Sequence, residues 1–204
     1  MRRRWRSAVA EPSRPSVTLA SGSPRRRELL EQLGLELTIV SPDVDETPLD
    51  REAPVAYVRR LAIAKAFAVE AAPDALVIAA DTTVDLGGEI LAKPDDAAHA
   101  ADMLRRLSAR THRVHTGVAV RLGDRFAAEV VTSLVTFVPL TPATIEWYVA
   151  TGEPMDKAGA YAVQGAGGVF VQRIRGSVSN VVGLPLHEVV RLAGELGVTL
   201  LGGS

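Results

Sequence analysis

SVTLASGSPRRRELLEQLGLELTIV, residues 16–40, sets the fold class of this chain. Its first six residues, 16–21, read as a strand. Small residues follow, then a helical segment over roughly 24–33. Ser23 stands at the N-cap position, Pro24 at the first helical position and Gly34 at the stop. LELTIV (35–40) is a second strand. Strand, turn, helix and strand in that order indicate an α/β chain.

Working outward, the alternation continues. The polar loop SPDVDETPLD leads to an amphipathic helix over about 53–71, with Val55, Val58, Leu61, Ala62 and Lys65 in helical register. ALVIAA (75–80) is wholly apolar and of strand length, as in a buried central strand, and Asp81 follows it. TTVDLGGEILAKP reads as a hairpin turning at Gly87-Gly88. A helix over 95–107 comes next, then two longer β segments, near 112–121 and 126–138, about the turn Leu122-Gly123-Asp124. A helix from Pro142 to about Val149, a Gly-rich stretch with short strands (158–183) and a helix over about 185–196 complete the pattern. The expected fold is mixed α/β, with a twisted, partly antiparallel sheet and flanking helices.

The chain has 204 residues, 47% hydrophobic and 23% charged, which suits one globular domain over 16–204, with room for two lobes. The basic opening MRRRWRSAVAEPSRP (1–15) is expected to be a disordered tail, since it lacks the apolar run of a signal peptide. Twenty-three basic and twenty-four acidic residues give a net charge of −1, so no global field draws nucleic acid or membrane. The absence of cysteine excludes disulfides, a thiol nucleophile and cysteine metal sites. No stretch of eighteen apolar residues occurs, and the expected setting is cytoplasmic.

The basic residues are unevenly divided: 20 arginines and only three lysines, Lys65, Lys93 and Lys157. A lysine kept where arginine is otherwise preferred suggests a site needing a compact, strongly hydrated point charge, as at a phosphate or a metal-bound oxygen. LASGSPRRRELL (19–30) admits two readings. One is an N-capped helix with solvated arginines. The other is an anion site, in which free N–H groups at the helix start are joined by Ser21, Ser23 and the arginine forks of Arg25, Arg26 and Arg27. Asp81 and the Asp45-Glu46 pair each follow a strand, where α/β proteins bind ligands. They serve either as caps or as oxygen ligands for Mg²⁺ shared with phosphates. Lys65 and Lys93 then balance a polyphosphate. His112 and His115, three apart on a strand, face opposite sides and make a poor metal pair.

These segments carry a resemblance. LASGSPRRRELL, VDE (44–46), RLAIAKA (60–66), AADTTV (79–84), ILAKP (90–94), TGEPMDKAGAYAVQG (151–165) and VVGLPL (181–186) occur in order. Together they resemble the Maf family of nucleoside triphosphate pyrophosphatases, over about 17–192; the 1–15 tail has no counterpart. The resemblance implies an elongated fold with a central cleft, similar to inosine triphosphate pyrophosphatase, and a homodimer. It implies hydrolysis of a nucleoside triphosphate to monophosphate and pyrophosphate with a divalent cation, Mg²⁺ or Mn²⁺. Asp81 matches the catalytic acid/base position, and Lys65 and Lys93 match functional positions. Ser21, Ser23, Arg25, Arg26 and Lys157 fall to substrate binding. Glu46 and Asp81 are the metal candidates, with Asp81 either ligand or base.

Three positions, Arg25, Thr82 and Gln164, match those that track substrate choice in the family. Their combination is that of the branch preferring dTTP and UTP; the branch acting on 7-methyl-GTP carries Trp, Gln and Glu instead. A Gln amide suits the carbonyl–NH–carbonyl edge of uracil and thymine. The family's link to septum formation supplies the alternative, a nucleotide-sensing regulator of division.

Overall fold

A computed structural model describes residues 16–202, so the expected tail, 1–15, lies outside the described residues. Seven strands form one sheet: β1 (Val17–Ala20), β2 (Leu37–Val40), β3 (Leu76–Leu86), β4 (Glu89–Leu91), β5 (Thr111–Leu122), β6 (Arg125–Phe137) and β7 (Val171–Arg175). Their order is β2-β1-β3-β5-β6-β7, with β4 paired to β3. β1 is parallel to both β2 and β3, while β5, β6 and β7 continue the sheet antiparallel. The helices are α1 (Pro24–Glu31), α2 (Pro54–Phe67), α3 (Ala97–Leu107), α4 (Pro142–Ala150), α5 (Val178–Val182) and α6 (Leu186–Glu195).

Helix starts follow the prolines, as the fixed φ of that residue favours: Pro24, Pro54 and Pro142 each open a helix. The expected hairpin turns at Gly87 and Gly88, both at positive φ, with Leu86 opposite Glu89. Two expectations change. The 158–183 stretch holds one strand, β7, the short helix α5 and tight 3₁₀ turns at Ala158–Ala160 and Ala166–Phe170, because its glycines favour turns over ladders. β3 does not stop before Asp81 but runs on to Leu86, because β5 pairs with it as far as Asp85.

That extension positions the site. β1 accompanies β3 only to Ala79 (opposite Ala20), and β4 joins the same edge only at Val84. Between them, 80–83 lack a strand neighbour on that side among the described residues. Successive residues of a strand point to opposite faces, so Asp81 and Thr82 look out of this gap in opposite directions.

The faces differ in cover. Leu76, Ile78 and Ala80 pack with Val118, Val120, Val189 and Leu192, joining the sheet to α6. On the other face α2 lies against small residues, with Ala62 and Ala66 on Ala20, Ala79 and Ala119. Gly117 completes this seat: a Cβ there would stand 2.1 Å from the Val58 carbonyl oxygen. A third cluster, with Val84, Leu104, Val135, Phe137 and Tyr148, closes the far end of the sheet under α3 and α4.

Candidate active site

A cleft of about 590 Å³ opens at the gap in the sheet edge. Its walls come from the β1–α1 turn, the loop before α2, the exposed stretch of β3, the residues after β4, and segments 156–164 and 181–183. Eleven of the residues marked from the sequence line it, Ser21, Ser23, Arg25, Arg26, Glu46, Lys65, Asp81, Thr82, Lys93, Lys157 and Gln164, whereas Asp45 and Arg27 do not. Five are cations, against three lining carboxylates (Glu46, Asp81 and Asp156), leaving an excess of two positive charges in a chain of net charge −1.

On the α2 face, Asp81 meets Lys65. The Lys65 Nζ lies 2.6 Å from Asp81 Oδ1 and 2.5 Å from Glu46 Oε1, with Lys65 and Asp81 both buried. Burial alone would raise the Glu46 carboxyl, but its hydrogen bond to Lys65 and the charges of Lys65, Lys93 and Arg26 outweigh this and hold it below the ordinary value. Tyr57, which no sequence motif marks, donates to the Glu46 carbonyl at 3.0 Å. Its hydroxyl is pushed up to about 12 by burial, then by Asp81 and Glu46. Tyr57, Leu61 and Lys65 recur every four residues on α2, so one stripe carries both the core contact and the site. That spacing is the signal by which Tyr57 could have been found. Asp45 points elsewhere: its Oδ1 caps the Thr47 N–H at 2.9 Å.

On the opposite face, Thr82 meets Arg26. The guanidinium makes three scaffold bonds: Nε to the Gly183 carbonyl at 2.8 Å, one terminal nitrogen to Ser21 Oγ at 3.0 Å, the other to Thr82 Oγ1 at 3.2 Å. Arg26 therefore acts as a strut between the end of β1, β3 and the α5–α6 loop. Desolvation lowers its pKa, opposed by the nearby Asp81. Thr82 Oγ1 also lies 2.9 Å from Thr116 Oγ1, whose hydroxyl reaches the carbonyl of the buried Asn180. These two positions, expected to face substrate, spend their polar atoms on the scaffold.

Ser23 holds the N-cap position of α1, but its side chain makes no capping bond; its N–H goes to Ser21 Oγ at 3.2 Å. The helix start thus keeps N–H groups for an anion, with no acidic residue in its first turn. Lys93 is exposed and forms no ion pair among the described residues. Lys157 pairs with its neighbour Asp156. Gln164 is exposed on the rim, its amide without a hydrogen bond among the described residues.

His112 and His115 do face opposite sides. His112 Nε2 lies 2.8 Å from the Tyr161 hydroxyl, and burial pushes the imidazole down to about 4. His115 sits between Asp85 Oδ2 (3.1 Å) and Thr132 Oγ1 (2.8 Å). No group of three or more His, Asp or Glu able to hold a metal exists among the described residues. Glu46 and Asp81 nevertheless converge on one cation, the Lys65 ammonium, and each keeps a second oxygen without a partner among those residues. Two carboxylates fit a hard cation that takes its remaining ligands from phosphate and water. No helix among the described residues is long and apolar enough to cross a membrane.

Known relatives match this chain along most of its length. It is 56% identical over 191 residues to the dTTP/UTP pyrophosphatase of Anaeromyxobacter dehalogenans (strain 2CP-C), covering 91% of this chain and 96% of that protein. It is 54% identical over 185 residues to the dTTP/UTP pyrophosphatase of Myxococcus xanthus (strain DK1622), covering 90% and 94%. Among solved structures, a HAM1 protein from Coxiella burnetii aligns with a TM-score of 0.42 at 15% identity, over 60% of this chain and 73% of that one. The family model described as Maf-like protein matches residues 16–196, and the chain belongs to the Maf family.

Proposed function

We propose that this chain hydrolyses dTTP and UTP to the monophosphate and pyrophosphate in the cleft at the sheet gap. One observation carries the reading: a buried carboxylate, Asp81, is held by Lys65 in a cleft whose walls are net positive. The names of the relatives supply the substrate pair.

The triphosphate is held by the open N-terminus of α1, with the Ser23 hydroxyl, and by Arg25 and Lys93, cations without ion pairs among the described residues. Arg26 contributes charge and fixes the turn. Lys157, paired to Asp156, also lines the cleft. Asp81 orients a water for in-line attack on the α-phosphorus and accepts its proton, while Lys65 fixes the carboxylate's direction. Glu46, joined by Asp81 where that carboxylate serves as ligand instead of base, would hold a divalent cation such as Mg²⁺ or Mn²⁺, and that cation would supply neutralisation of the phosphate oxygens' charge. Gln164 offers its amide oxygen to the N3–H of uracil or thymine and its NH₂ to a flanking carbonyl. The family resemblance extends the proposal to a homodimer; the near-zero net charge and the lack of a long apolar run extend it to a cytoplasmic setting without nucleic acid or membrane as partner.

The test is a panel of purified nucleoside triphosphates with product identification, with Mg²⁺ or Mn²⁺ present. UTP and dTTP should yield pyrophosphate fastest. Release of orthophosphate means attack at the γ position and overturns the reading.

A further inference from the structure

Gln164 has no side-chain bond of its own among the described residues, so whatever aims it must act on its backbone. Two residues do so. Glu153, half-buried after α4, accepts the Ala166 N–H through Oε2 at 2.9 Å and the Gly167 N–H through Oε1 at 3.1 Å. Tyr148, wholly buried on α4, donates its hydroxyl to Glu153 Oε1 at 2.8 Å and accepts the Ala162 N–H at 3.1 Å. The segment carrying Gln164 is thereby fastened on both sides, at Ala162 and at Ala166–Gly167, to one coupled pair of side chains.

The fit leaves no slack. A Cβ on Gly165 would stand 2.3 Å from Glu153 Oε2, so the chain passes directly over the carboxylate. Burial opposes ionisation of Glu153, but the N–H groups of Gly167 and Ala166, the Tyr148 hydroxyl and the charge of Arg25 outweigh it, and its pKa lies below the ordinary value. Glu153 thus also senses Arg25, another of the specificity positions.

We propose that Glu153, with Tyr148, is a positioning residue for base recognition: it holds the 162–167 segment so that Gln164 meets the edge of the pyrimidine. This rests on the dTTP/UTP reading above. Glu153→Gln keeps size and shape but turns an NH₂ group against backbone N–H donors that need an acceptor.

The experiment is a double-mutant cycle of Glu153→Gln with Gln164→Ala, reading KM for UTP, alongside inhibition by inorganic pyrophosphate as a probe without a base. Each single variant should raise KM about tenfold, and the double variant should be no worse than Gln164→Ala alone. Pyrophosphate inhibition should not move in any of them. Tyr148→Phe, which keeps the ring in the core, should shift KM in the same direction, guarding against a folding defect in Glu153→Gln. Additive losses in the double variant, or a parallel weakening of pyrophosphate inhibition, overturn the positioning role while leaving base reading by Gln164 intact. A silent Gln164→Ala overturns the base-reading assignment itself, and this proposal with it.

Discussion

Gly117→Ala is the sharpest test of how the fold builds the site. Gly117 lies opposite Asp81 in the β3–β5 ladder, beneath α2. A methyl there would meet the Val58 carbonyl oxygen at 2.1 Å, its carbon at 2.5 Å and the Arg59 nitrogen at 2.9 Å. These are backbone atoms of a regular helix, so no rotamer change relieves the clash. The helix must retreat by on the order of 1 Å to reach ordinary contact. Retreat loosens Ala62 and Ala66 from the alanines below them. It also carries away Tyr57, which holds the Glu46 loop, and shifts Lys65 from Asp81. Overpacking of this kind costs about 1–3 kcal/mol, or roughly 2–12 °C in Tm for a chain of this size. A misplacement of about 1 Å at reacting groups costs on the order of 10²-fold in rate. Thermal unfolding and kcat/KM for UTP, measured on the same preparation, read both effects. Unchanged Tm together with unchanged kcat/KM would refute the claim that α2 is seated on bare backbone and that this seat sets the Lys65–Asp81 geometry.

Three further outcomes are expected. Asp81→Asn should lower kcat for UTP by about 10²–10⁴-fold or more while the fold persists, and undiminished turnover in the purified variant contradicts its role as base or ligand. Gln164→Glu should cut kcat/KM for UTP by about one to two decades, since a carboxylate offers no donor to the base's carbonyls; a flat UTP-to-ATP preference ratio sinks the assignment. His112, neutral in the fold with a value near 4 against an ordinary 6.5, makes stability fall on acidification. The unfolded chain takes up the proton first, so stabilisation present above about pH 6.5 is lost as pH drops towards 4, by about 3 kcal/mol. Urea unfolding of wild type and His112→Gln across that range checks it: the variant's curve should be flatter, and parallel curves contradict the account.

The same geometry explains what is legible from residues alone. Strand and helix identities follow from apolar period and proline placement, which is why β1, α1, α2 and the Gly87-Gly88 hairpin can be read directly. The scarcity of lysine is informative as well, since Lys65, Lys93 and Lys157 all line the cleft. The Arg26 strut is not legible. An arginine beside serines at a helix start looks the same whether it grips a ligand or the carbonyl of Gly183, 157 residues away. Glu153 is hidden for a related reason. Its partners are mostly backbone N–H groups, which every residue but proline possesses, so no residue type marks them.

Asp81 stands out in the sequence for a reason that the fold restates. An acidic residue after an apolar run suggests the end of a strand, yet β3 continues for five residues beyond it. What ends is β1, its parallel neighbour, two residues earlier in register. Ligands collect at the carboxyl ends of parallel strands because the departing chain leaves an opening. Here β3 survives the opening because β5 supports it from the other side. The consequence is chemical. A strand crossing an opening presents consecutive residues to opposite faces, so Asp81 can be given to Lys65 while Thr82 is given to Arg26 and Gly183. A strand that stopped at Asp81 would supply the carboxylate without the second wall. On the proposed function, reaction and recognition share one backbone segment, and a substitution at Thr82 is expected to act on the cleft through Arg26 rather than through a contact of its own hydroxyl with the base.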